Sequence, residues 1–192
     1  MKIRSDFVSN SSSSSFIVIT NSGDYENPWK DMFVDESFTL PCEEGCGSFG
    51  WQTQKYYSCF DKLNWAAICL WNKKKLESDE TPDRVLKEEV AKPWFRYKAM
   101  EELLRKVCRE KFGIEIAFDE EKLEGYDYYI DHQSNIRETP ENGRMFESYE
   151  TLYDFLANSH SYIDNSNDNG GRDDEYDPET DSYPERPQDY TV

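Results

Sequence analysis

An α+β fold is what this sequence predicts, and three observations carry the prediction. Residues 15–20 (SFIVIT) form a continuous β-branched and aromatic run, short enough for a buried strand. Met100, Leu103, Leu104, Val107 and Cys108 recur at helical spacing, the pattern of an amphipathic helix. Beyond residue 165 the chain turns polar and acidic and carries Gly170-Gly171 and three prolines, the composition of a disordered tail. The expected architecture is a small mixed or antiparallel sheet packed on about three helices. It occupies one domain, 1–164, with a serine-rich leader (1–15), followed by an acidic tail, 165–192.

Each element has its own reason. Asn21-Ser22-Gly23 ends the first strand with turn chemistry. Residues 24–36, with Pro28 and Trp29, read as irregular, and 37–40 as a short strand stopped by Pro41. Residues 42–50 hold Gly45, Gly47 and Gly50 and read as a loop. In 56–72, Phe60, Leu63, Ala67, Leu70 and Trp71 keep helical spacing while Ala66 and Ile68 fill the flanks. A helix that is apolar on most faces belongs in the middle of a core. Lys73, Lys74 and Lys75 follow it, where cations complement the helix dipole; a phosphate-binding patch is the alternative. Residues 77–90 are charged and allow a short exposed helix opening at Thr81-Pro82.

Residues 93–112 give the clearest helix, with Gly113 in the C′ position. Residues 114–118 (IEIAF) and 126–131 (YDYYID) read as strands. Ser148 caps a third helix that reaches about residue 158 and buries Leu152, Tyr153, Phe155 and Leu156. Residues 161–164 (SYID) supply the last strand.

The charge is strongly one-sided. Forty acids against 22 bases give a net charge of -18. Nine acids and two arginines lie in 165–192, so the tail carries -7 and the body -11. An acidic body repels phosphate backbones, which argues against direct nucleic-acid binding and for a basic protein partner. Aromatic residues reach 15%, more than disordered chains hold, so the body has a core to bury. The five cysteines are Cys42, Cys46, Cys59, Cys69 and Cys108. Their odd number, the polar residues where a secretory h-region would lie, and the lack of a long apolar run predict a cytoplasmic protein with reduced thiols and no membrane span.

The first residues, MKIRSDFVSNSSSSSFIVIT, join a basic tetrapeptide, a Phe-Val pair and five consecutive serines to a strand-like run. They resemble the N-terminal signature of a family of proteins from low-GC Gram-positive bacteria and their phages. CGSFGWQTQKYYSCFDKLNWAA from Cys46, YYIDHQSN (128–135) and NSHSYIDNSNDN (158–169) are similar to further segments of that family. Together these cover roughly a third of the chain. The resemblance implies a bacterial or phage protein; it carries no established activity and assigns no catalytic residue.

Three constellations could carry chemistry. The two histidines, His132 and His160, each adjoin an expected strand, and those strands end in Asp131 and Asp164. If those strands pair, Asp131, His132, His160 and Asp164 meet at one sheet edge as a divalent-metal set or an acid/base pair. The alternative is that they cap strand ends and turns. Cys42 and Cys46 form a loop dithiol, a weak metal or redox motif, or else two incidental thiols. Ser11, Ser12, Ser13, Ser14 and Ser15 read as a flexible polar loop, an anion-holding nest of backbone N–H groups, or a modification site.

The leading functional expectation is a non-enzymatic acidic protein, of accessory or anti-host type, that engages a basic protein, one that itself handles nucleic acid being the natural candidate. No cofactor is expected on that reading. The alternatives are a small metal-dependent or acid/base hydrolase using the Asp/His set, and a structural subunit of a phage particle or larger assembly.

Overall fold

A computed structural model of the chain describes residues 13–30, 37–50, 53–78, 92–131, 134, 136 and 139–167. Within them the fold is α+β. Strand β1 (Ser13–Val18) pairs antiparallel with β7 (Tyr162–Asn167), and β4 (Gln54–Tyr56) pairs antiparallel with the other side of β7. This gives a three-stranded sheet of order β1-β7-β4. Two smaller parallel pairs stand apart from it. Strand β2 (Phe38–Leu40) lies beside β5 (Ile116–Phe118), and β3 (Ser48–Phe49) lies beside β6 (Tyr129–Ile130).

Helix α1 (Cys59–Ser78) runs through the centre, and every residue from 62 to 71 is buried. At 1.5 Å per residue it is about 30 Å long. Its all-round apolar character therefore has the expected consequence. Trp65, Leu63, Ile68 and Leu70 are at most 2% exposed, each such burial contributing about 1.5–3 kcal/mol. Phe49 meets Trp65 edge-on at 5.0 Å. The helix starts three residues later than its sequence pattern predicts, because Tyr56 is committed to β4. Ser58 then caps it: its Oγ accepts the Asp61 N–H at 3.0 Å and donates to the Asp61 carboxylate at 2.7 Å.

The helix also ends later, so the lysine triplet lies inside it. Lys73 sits over the Phe95 ring at 4.7 Å and pairs with Glu77 at 3.3 Å. Lys74 sits over Trp71 and pairs with Glu120 at 2.6 Å.

The long helix expected over 93–112 is divided in three. A 3-10 turn (Pro93–Phe95) leads to Arg96, whose backbone is extended, and only then does α2 (Tyr97–Val107) begin. Glu77 of α1 accepts the Tyr97 N–H at 3.0 Å and so caps α2 from outside. The predicted stripe holds, with Met100, Leu104 and Val107 buried. A π turn (Cys108–Phe112) follows and stops at Gly113, which has φ +73°.

Asp119 caps a short helix, α3 (Glu120–Glu124), by accepting the Lys122 N–H. A 3-10 helix (Pro140–Glu147) precedes α4 (Tyr149–Ala157), which Ser148 caps through the Thr151 N–H at 3.1 Å, as its sequence predicts. Of the strand expected at 126–131 only β6 forms, and the loop expected at 42–50 contains β3. Strand β7 runs to Asn167, past the boundary expected at 164. Most of the helix expected at 77–90, and the tail beyond 167, lie outside the described residues.

Among the described residues no helix is long and apolar enough to cross a membrane.

Candidate functional site

Side chains alternate between the two faces of a strand. Along β7, Ile163 and Asn165 point into the core at 0% and 1% exposure, while Tyr162 and Asp164 take the other face. Their partners in β1 obey the same rule: Ile17 lies opposite Ile163, and Ser15 opposite Asn165. The inner face of the sheet thus changes from apolar to polar within two residues. Ser15 is 3% exposed; its N–H donates to Ser134 Oγ at 2.6 Å. Asn142, fully buried, donates its Nδ2 to the carbonyls of Ser15 (3.0 Å) and Ser134 (2.6 Å). Those two acceptors fix the orientation of the Asn142 amide.

Four polar atoms of this layer make no hydrogen bond to protein: Ser15 Oγ, Asn142 Oδ1, and Asn165 Oδ1 and Nδ2. Leaving such a group unmatched in the interior costs about 1–3 kcal/mol. The Asn165 amide approaches the Tyr56 hydroxyl without reaching hydrogen-bond geometry. Burial and the Cys46 thiol push the Tyr56 phenol above its ordinary range. Residues from four segments distant in sequence meet here. Ser15 comes from the leader, Tyr56 from the segment after Cys46, Ser134 from 128–135 and Asn165 from 158–169.

The described members of the expected Asp/His set, Asp131, His160 and Asp164, are not brought together. Strand β6 pairs with β3 and strand β7 with β1 and β4, so the strands bearing Asp131 and Asp164 are not neighbours. Asp131 is buried against Gly50. Asp164 lies on the outer face and pairs with Lys55 at 3.4 Å. His160 is exposed in the turn before β7, with its N–H on Asn158 Oδ1 and its ring over Gly23. His132 lies outside the described residues. Among the described residues no group of three His, Cys, Asp or Glu side chains is placed to hold a metal ion.

The serine run also differs from a free loop. Ser11 and Ser12 lie outside the described residues, whereas Ser13, Ser14 and Ser15 are strand residues paired to Asn167, Ser166 and Asn165. Ser15 in particular is 3% exposed and its N–H is engaged by Ser134 Oγ.

Cys42 and Cys46 are organised by α1 instead. Asn64, fully buried, accepts the Cys42 N–H at 2.8 Å and donates to the carbonyls of Cys42 (2.8 Å) and Cys46 (3.1 Å). Asp61 takes the Cys46 N–H at 2.7 Å, and the Cys46 thiol donates to the Ser48 carbonyl. Burial pushes the Cys42 thiol up to about 11 and that of Cys59 to about 12. Thiols held protonated in this way are poor nucleophiles at neutral pH.

Two further groups carry no sequence motif. Lys62, 1% exposed, donates its Nζ to the carbonyls of Asn158 (3.0 Å) and Ser161 (3.3 Å). The signal available for Lys62 and Asn64 is their polarity inside a helix that is otherwise apolar on most faces. The second group is on the surface. Tyr126 is 96% exposed, with Glu120, Glu121, Glu124 and Asp127 exposed around it. Lys122 ties this segment to Glu43 of the β2–β3 loop at 3.4 Å, which adds Glu43 and Glu44 to the same acidic face.

The chain matches no family model, no curated protein and no solved structure.

Proposed function

We propose that this is a binding protein that docks a basic protein partner through the acidic face around Tyr126. The observation that carries the reading is the pairing of one almost fully exposed tyrosine with a concentration of carboxylates. Asp119, Glu120, Glu121, Glu124 and Asp127 fall within nine residues whose only base is Lys122. Tyrosine supplies a large, rigid contact area with a polar tip, and it is enriched where interfaces concentrate their energy. Carboxylates around it steer a cationic partner and set its orientation. The excess of acids over the rest of the body extends that field and disfavours polyanions. A basic protein that handles nucleic acid in a bacterial cytoplasm has the complementary charge.

The test is capture from a native-like host by the full chain with Met1 and the leader untouched. Wild type is compared with Tyr126→Ala and with a Glu120→Lys, Glu121→Lys, Glu124→Lys variant. The expected result is a basic partner bound at low salt, released at high salt and lost from both variants. A partner retained equally by the variants, or indifferent to salt, would overturn the reading.

A further inference from the structure

We infer that the Tyr126 ring seats an arginine of the basic partner, the guanidinium lying flat on the ring and bonded at its edge to the flanking carboxylates. This seat rests on the docking face proposed above and names the cation that the face takes. Elsewhere the chain covers its surface rings with its own cations. Lys106 lies over Tyr149 at 5.2 Å, and Lys111 over Tyr153 at 4.4 Å. Lys55 lies over Tyr162 at 5.0 Å. The other two well-exposed tyrosines are engaged as well: Tyr25 stacks on Tyr153 at 4.9 Å, and Tyr57 leans on Tyr162 at 5.1 Å. Tyr126, at 96% exposure, has neither a ring nor a cation against it among the described residues.

The lysines beside this face are already committed. Lys122 pairs with Glu43 at 3.4 Å and Lys74 with Glu120 at 2.6 Å. Glu121, Glu124 and Asp127 are exposed and make no ion pair among the described residues. The segment that presents the ring is anchored on both sides. Leu123 and Ile130 are each 4% exposed, and the Tyr129 N–H bonds to the Gly47 carbonyl at 2.9 Å. Gly47, without a Cβ, admits the Asp127 carbonyl alongside it. Such anchoring lowers the ordering cost of docking. The chemistry selects arginine over lysine. A guanidinium is planar, so it covers a ring face while its edge keeps N–H donors for carboxylates. Glu124 and Asp127 stand two positions before and one after the ring, where they can accept them. An ammonium is a point charge that holds its water more strongly, which weakens its contact with an exposed ring.

The experiment titrates the full chain, carrying carbon-13 in its tyrosine rings, with two short Gly-Ser peptides that differ only in bearing arginines or lysines. The Tyr126 ring signals are identified by their loss in Tyr126→Leu. The arginine peptide is expected to shift those signals saturably, to bind at least about three-fold tighter than the lysine peptide, and to give an NOE between the Tyr126 ring and an arginine side chain. Tyr126→Phe keeps the ring and should keep the preference. Tyr126→Leu, and Glu124→Gln combined with Asp127→Asn, should each bring the two peptides to equal affinity. If the peptides bind wild type equally, with affinity still lost in the Glu120→Lys, Glu121→Lys, Glu124→Lys variant, the arginine seat is refuted and the acidic docking face stands. Tyr126 signals unmoved by either peptide also refute the seat, and partner capture then judges the docking face separately. Should a variant not fold, the ring shifts and the NOE on wild type decide alone.

Discussion

Lys62 holds Asn158 from inside the core: its ammonium donates to the Asn158 main-chain carbonyl at 3.0 Å while remaining 1% exposed. Burial lowers its pKa from an ordinary 10.5 to about 8. Between those two values the unfolded chain carries a proton that the folded chain has released. Raising the pH through that window therefore favours the fold. The contribution is up to about 3 kcal/mol. Urea unfolding at pH 7.5 and at pH 10 should show wild type gaining stability relative to Lys62→Met, whose Lys62 contribution is gone. Parallel pH profiles of the two proteins would contradict this account.

Asn64 fastens the Cys42–Cys46 loop to α1 with three hydrogen bonds. Net values near 1 kcal/mol for each bond, plus stranded backbone groups, predict that Asn64→Ala loses about 2–4 kcal/mol. Chemical denaturation measures the loss, and a change under about 1 kcal/mol would show the loop to be held by other contacts.

Thiol chemistry should separate one cysteine from four. Cys46 is partly exposed, whereas Cys42, Cys59, Cys69 and Cys108 are buried and their thiols are shifted upward by that burial. A disulfide reagent added to native protein should modify Cys46 first, and the remaining four only on the timescale of unfolding. Rapid modification of two thiols, with Cys42 as the second, would mean that the loop opens readily.

Two glycines with positive φ should respond differently to alanine. At Gly50, with φ +139°, a Cβ would collide with that of Asp131, while at Gly113, with φ +73°, it would meet nothing within 4 Å. Gly113→Ala pays only the left-handed backbone penalty, about 1 kcal/mol. Gly50→Ala adds a core clash and should cost at least about 2 kcal/mol more. Equal melting temperatures for the two variants would contradict the placement of Asp131.

Local pattern made much of this fold legible. The stripe at Met100, Leu104 and Val107 and the cap at Ser148 are properties of a few adjacent residues, and both are seen. The apolar surround of α1 likewise announced a central helix. Strands β3 and β6 are two residues each, too short for any periodicity to register. The strand pairing expected for the Asp/His set does not form, for a different reason. Its logic needed Asp131 and Asp164 on paired strands, and strand pairing is decided by contacts that sequence spacing does not encode. The polar layer was hidden in the same way, because Ser15 and Asn165 become neighbours only through the β1–β7 register. Lys62 and Asn64 were visible as polar interruptions of an apolar helix, but their partners lie in loops distant in sequence.

The pairing of β1 with β7 also bears on how the chain is made. Ser15 and Asn165 are 150 positions apart. At synthesis rates of roughly 5–20 residues per second, β1 waits on the order of 10–30 s for its partner. An unpaired strand emerging from a ribosome is a template for the wrong neighbour, including the same strand of an adjacent nascent chain. The first half of β1 is Ser13-Ser14-Ser15 rather than a β-branched apolar run, which weakens that template while it waits. The polar layer to which Ser15 belongs is completed only when Asn165 has been added.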